Sequence, residues 1–82
     1  MNEVMNDLIA MGKVQLKELN KELEIQKSDA ARLSVYIDDA IKEGDYQETL
    51  DYANMLKDTC IRIDNLSREI AYIEKQIARY SK

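Results

Sequence analysis

The sequence predicts an all-α protein, an antiparallel two-helix coiled-coil hairpin that pairs into a four-helix bundle. Three observations predict it. Apolar residues recur at alternating spacings of three and four along two long stretches, which is the mark of a helix with one continuous apolar seam. No proline interrupts either stretch, and the chain has only two glycines, Gly12 and Gly44. Between the stretches lies Lys42-Glu43-Gly44-Asp45-Tyr46, which reads as a stop followed by a start. Glycine suits the left-handed position just past a helix C-terminus because it carries no Cβ to clash. Asp45 suits the N-cap of the next helix, with Glu48 at the capping-box spacing. A turn this short folds two long helices back on each other. The chain is therefore read as one helical-hairpin domain over 1–82, with helix one at 3–43, the turn at 44–45 and helix two at 46–80.

Helix one follows from the seam Met5, Ile9, Leu16, Leu19, Leu23, Ala30, Leu33, Ile37 and Ala40. Only Gly12 and Gln26 are out of character in that series. Ser28-Asp29 has the residue types of a cap, but no glycine or proline accompanies it, so helix one is read as unbroken. Gly12 costs about 1 kcal/mol relative to alanine in a helix. It marks either a close approach of the two helices or a loose first segment.

Helix two follows from Thr49, Tyr52, Leu56, Thr59, Ile63, Leu66, Ile70, Ile73, Ile77 and Tyr80, with Ala53 and Cys60 flanking the stripe and widening it. Asp45, Glu48 and Asp51 at its start, and Lys75, Arg79 and Lys82 at its end, suit the helix dipole. Asp58 with Arg62 and Asp64 with Arg68 are spaced for i,i+4 ion pairs.

Folding at Gly44-Asp45 places opposite one another the residues whose numbers sum to about 89. Leu16 then faces Ile73, Leu19 Ile70, Leu23 Leu66, Leu33 Leu56 and Ile37 Tyr52. Gln26 falls beside Ile63 and Ala30 beside Thr59, so the middle layers are thinner and more polar. Each arm spans about 60 Å at about 1.5 Å per residue, and Met1 to Leu8 overhang the open end without a partner in helix two. Ordering a residue costs about 1–2 kcal/mol, while a fully buried Leu or Ile returns about 1.5–3. A two-helix arm with a half-buried seam does not offset that comfortably, so a second copy or a partner is expected.

Composition narrows the function. The net charge of −4 lacks the basic footprint of a phosphate binder. With no histidine and one cysteine, no transition-metal set forms within one chain, and no base is at hand to activate Cys60 or a hydroxyl. Cys60 is read as a buried structural thiol. There is no glycine-rich phosphate loop. Asp38, Asp39, Glu43 and Asp45 gather at the tip without calcium-loop spacing and are read as a solvated helix end. The expectation is a protein that is not an enzyme and needs no cofactor or metal. The start has no basic and apolar leader, and no apolar run reaches the roughly 18 residues that span a bilayer. A cytoplasmic protein without direct membrane insertion is expected.

Apolar residues that miss the seam are the candidate interface: Val4, Leu8, Met11 and Val14 near the start, then Ile25, Met55, Ile61 and Tyr72, together with Met5 in the overhang. A cluster of such residues at an overhanging end marks a contact surface. Lys13, Lys17 and Lys21 form an i,i+4,i+8 row, but Glu18, Glu22 and Glu24 lie beside it, which favours a solvated face. Nucleic acid is therefore an unfavoured partner. A Rop-like RNA-binding hairpin dimer using that row, and a structural coiled-coil spacer, stand as the alternatives.

In size, make-up and the long helical runs Leu16–Leu23 and Ile63–Ile77, the chain resembles the small helical accessory proteins of large lytic phages, nearest those of lysis inhibition in T-even phages. The resemblance implies binding to the cytoplasmic part of a holin and a delay of lysis. It implies no particular functional residue. The reading as a whole is a small protein-binding regulator that contacts itself, as a homodimer, and another protein through helix faces.

Overall fold

In the computed structural model, which describes residues 2–81, the chain forms two helices. They are α1 (Asn2–Glu43) and α2 (Tyr46–Tyr80), and they pack against each other as a hairpin. Met1 and Lys82, the latter expected to add to the positive end of α2, lie outside the described residues. Among those residues there is no strand, and no helix is long and apolar enough to cross a membrane. The hairpin measures 64 × 14 × 14 Å, with a radius of gyration of 18.4 Å. A compact domain of this length has a radius of gyration of about 12 Å.

The turn forms as the residue types dictate. Gly44 takes φ +73. Its N–H donates to Ile41 O at 3.0 Å, and the Asp45 N–H donates to Ala40 O at 2.9 Å. These two bonds satisfy carbonyls that the end of α1 would leave bare. Asp45 then caps α2, its Oδ1 accepting from the Glu48 N–H at 3.0 Å. The reciprocal half of the capping box is diverted. The Glu48 carboxylate accepts instead from the Tyr52 hydroxyl at 2.8 Å. α1 runs through Ser28-Asp29 without a break, because no proline or glycine there competes with the helical bonds.

Three contacts report the register: Gly12 against Ile77, Gln26 against Arg62 and Tyr36 against Tyr52. All lie within one residue of the expected pairing. Gly12 is buried, and a Cβ added there would sit 3.0 Å from Ile77 Cδ1. It marks a close approach, so the first segment of α1 is packed at this point. Tyr52 meets Tyr36, with ring centroids 5.4 Å apart and tilted at 40°, where the pairing rule had placed Ile37. Neighbouring helical positions let the larger ring reach across the edge of the seam.

The core is thin. Among the described residues the buried apolar side chains are Leu33, Ala40 and Ile70, joined by the polar Gln26 and Thr59. Most other seam residues, from Ile9 to Ile77, are half-buried, and Met5 and Tyr80 at the open end are exposed. Two helices cover only part of an apolar stripe, and the remainder faces outward.

Candidate functional site

The site is best built from the rows beside the seam. On α1, stepping back one residue from each seam position gives Val4, Leu8, Met11, Gln15, Glu18, Glu22, Ile25, Asp29, Arg32, Tyr36 and Asp39, and Glu43 continues the row by one more turn. Steps of four and three hold these residues on one flank of the helix. The matching row on α2 is Glu48, Asp51, Met55, Asp58, Arg62, Asn65, Glu69, Tyr72, Gln76 and Arg79. The antiparallel pairing brings the two rows to the same side of the hairpin.

Four grooves open on this flank, each lined only by these rows and by the seam. At the open end, Leu8, Met11 and Tyr72 stand over Gly12, Ile73 and Ile77 around a groove of about 280 Å³. Gly12 supplies the depth, because it presents no side chain. Nearer the turn, Tyr36 and Met55 stand over Leu33 and Thr59 around a groove of about 340 Å³, with Asp29, Arg32, Asp58 and Arg62 at its rim. Between them lies a groove of about 230 Å³ at Glu22, Arg62, Asn65, Leu66 and Glu69. The fourth lies at the tip beside Asp39, Glu43 and Glu48.

Polar contacts hold the middle of this flank. Arg62 Nε donates to Gln26 Oε1 at 3.2 Å, and Arg62 Nη2 donates to Thr59 Oγ1 at 3.4 Å. Gln26 Nε2 donates in turn to Glu22 Oε1 at 2.9 Å. Thr59 Oγ1 donates to Met55 O at 3.0 Å. Arg62 was expected to pair with Asp58, and it turns to Gln26 instead. A seam amide left without a partner costs about 1–3 kcal/mol, more than an exposed ion pair returns. The second expected pair, Asp64 with Arg68, does form at 3.0 Å.

The structure brings three of the sequence-predicted interface residues to one groove and places a fourth at another. Leu8, Met11 and Tyr72 share the open-end groove, and Met55 lines the groove nearer the turn. Val4 and Ile25 are exposed on the same row, and Met5 is exposed at the end of the seam. Val14 and Ile61 are exposed; Ile61 lines none of these grooves, whereas Val14 lines a hollow on α1 with Ala10, Met11 and Gln15, next to the open-end groove. Leu8 was expected to overhang without a partner, yet it shares a groove wall with Tyr72 and Ile77.

Cys60, expected to be buried, is exposed, as is Ala53. The stripe does not widen on that side, because the flanking residues point past the edge of α1. Sequence reasoning missed Tyr36, whose place one step before Ile37 put it on the groove row. It also missed Ile41, Tyr46 and Leu50, exposed beside the turn on the opposite flank. Their positions just off the seam on either side of Gly44 were the available signal.

Electrostatics at the tip are local. Lys42 Nζ sits 3.0 Å from Asp38 Oδ2, and that hydrogen bond and the carboxylate's charge raise the lysine above its ordinary pKa. The hydrogen bond to Glu48, and then that carboxylate's charge, likewise raise the Tyr52 hydroxyl. Both groups favour their protonated forms in the fold, so the linked stabilisation is present at neutral pH and is lost as pH rises through the alkaline range of each. Among the described residues no three potential metal ligands converge. Lys13, Lys17 and Lys21 are exposed, with Glu18, Glu22 and Glu24 exposed among them.

Comparison with protein-family models, with curated proteins and with solved structures yields no match for this chain.

Proposed function

We propose that this chain is a non-enzymatic protein-binding regulator, acting through apolar contacts on one flank of its helical hairpin. One observation carries the reading. The grooves of that flank gather Leu8, Met11 and Tyr72 at one place and Tyr36 and Met55 at another, all of them exposed. Apolar clusters of this kind, rimmed by polar residues, are contact surfaces. A neighbouring helix laid along such a groove is the matching mode of recognition. The lysine row supports an RNA-binding reading less well, because carboxylates interleave it.

The finer reading comes from the resemblance of the Leu16–Leu23 and Ile63–Ile77 runs to lysis-inhibition accessory proteins. On that reading the hairpin pairs into a four-helix bundle, works in the cytoplasm and contacts the cytoplasmic part of a phage holin, delaying lysis. The test is co-elution of the purified chain with that holin segment on gel filtration. Binding is expected for the intact chain and is expected to be lost for Leu8→Asp and for a chain lacking residues 1–8, with helicity by circular dichroism retained. Unchanged binding by both variants would remove the open-end groove from the mechanism.

A further inference from the structure

We infer that the occupant of the grooved flank is a basic amphipathic helix of another protein, lying along the hairpin with its cationic end at the turn. This rests on the protein-binding reading above and names the chemistry of its partner. Charge is the first argument. Seven carboxylates line the four grooves, and Arg32 and Arg62 are the only cations beside them. None of the chain's eight lysines lines a groove on this flank. The grooves therefore carry a net charge of −5, against −4 for the whole chain, which leaves +1 for the rest. Both arginines are already engaged. Arg62 donates to Gln26 and Thr59, and Arg32 Nη1 lies 3.9 Å from Asp29 Oδ1. The molecule keeps its acid on the side that holds the apolar grooves and its lysines elsewhere.

Placement is the second argument. The open-end groove has no charged residue in its lining, whereas the tip groove has Asp39, Glu43 and Glu48. Asp39 and Glu43 stand in the last two turns of α1, where the helix dipole disfavours a negative charge. Among the described residues neither enters an ion pair, and Lys42, close by, is held by Asp38. A cation from outside offsets what the fold leaves uncompensated.

The two features join at Tyr36, which lines both the tip groove and the groove with Met55. Asp39 and Glu43 lie three and seven residues beyond Tyr36, or about 4.5 and 10 Å along the helix. The matching partner helix seats an apolar side chain between Tyr36 and Met55. It carries lysine or arginine about one and two turns further toward the hairpin turn, and apolar residues toward its other end, over Leu8, Met11 and Tyr72. Opposite charges facing each other in this way set direction and register. A second copy of this chain brings the same acidic grooves, which disfavours it as the occupant.

The test is fluorescence anisotropy with a labelled helical peptide of leucine, alanine and lysine. Its leucines run along one face and its lysines are confined to one end. The control is the same peptide with glutamate for every lysine. The chain is expected to bind the lysine peptide, more weakly as salt is raised, and not the glutamate peptide. Asp39→Asn with Glu43→Gln is expected to weaken binding about tenfold, the scale of two exposed ion pairs, with helicity kept because both residues are exposed. Glu24→Gln with Glu74→Gln removes the same charge away from the grooves and is expected to weaken it about twofold at most. Equal weakening by the two pairs would mean bulk attraction and overturn the proposal. Equal binding of both peptides, lost on Met55→Ser, would overturn a basic partner and keep the protein-binding reading. So would binding of the holin segment with neither peptide bound. A dimer in light scattering that excludes the lysine peptide would assign the flank to a second copy and overturn the proposal. Binding of neither peptide nor the holin segment overturns both readings.

Discussion

At the scale of single residues, Gly12 sets two effects against each other. Helix propensity favours alanine there by about 1 kcal/mol. Packing opposes it, since an added Cβ would lie 3.0 Å from Ile77 Cδ1, 3.1 Å from Cγ1 and 3.7 Å from Ile73 Cγ2. The Ile77 δ-methyl is the end of a flexible side chain, and turning it aside costs about 0.5–1.5 kcal/mol. Gly12→Ala is thus close to neutral. Valine adds two further carbons in the same space, and overpacking of that kind costs about 1–3 kcal/mol. Gly12→Val is expected to lower stability by that amount in urea denaturation followed by circular dichroism. Combining it with Ile77→Ala should recover part of the loss, because both changes act on one contact. Strict additivity of the two changes would mean that the helices do not meet at Gly12. Gly44 differs in kind. Nothing lies within 4 Å of its added Cβ, and only its φ of +73 resists a side chain.

At the scale of the elements, the two helices are joined at mid-arm by a polar link instead of an apolar layer. Gln26 is 9% exposed, and its oxygen has Arg62 Nε as its donor from the other helix. Arg62→Ala strands that oxygen and is expected to cost about 1–3 kcal/mol. Arg62→Ala with Gln26→Leu should restore the loss, since removing both partners of a buried polar pair is close to neutral. Urea denaturation of the two single variants and the double variant measures the coupling. A loss that the second change leaves in place would mean that Arg62 acts through other contacts. The same link shows what the sequence could reveal. The seams, the turn at Gly44-Asp45 and the register near 89 were legible, because spacing and capping are local properties of the chain. Gln26 was legible only as an exception. Its partner could not be read, because Asp58 at i−4 offered Arg62 a local alternative and the choice between them depends on burial. Cys60 was misread because two helices cover only the seam itself, and residues one step off it stay uncovered on both flanks. Met55 was legible as an off-seam apolar residue, but its groove with Tyr36 needed both helices in place.

At the scale of the whole molecule, the hairpin is a rod with three buried apolar side chains among its described residues and a half-covered seam. Such a core does not readily offset the entropy of ordering a chain this long. On the proposed bundle, folding is coupled to pairing, because the seam then packs on four sides. The coupling has a thermal signature. When two unfolded chains form one folded dimer, a tenfold rise in concentration adds about 1.4 kcal/mol to the stability of the dimer. With an unfolding entropy of about 2.1 cal/mol/K per residue over about 160 residues, the midpoint rises by about 4 °C for each tenfold step. Melts followed by circular dichroism across a hundredfold range of concentration should therefore separate by about 8 °C. Superimposed melts across the whole range would mean that the hairpin folds alone, with its apolar flank open to a different protein.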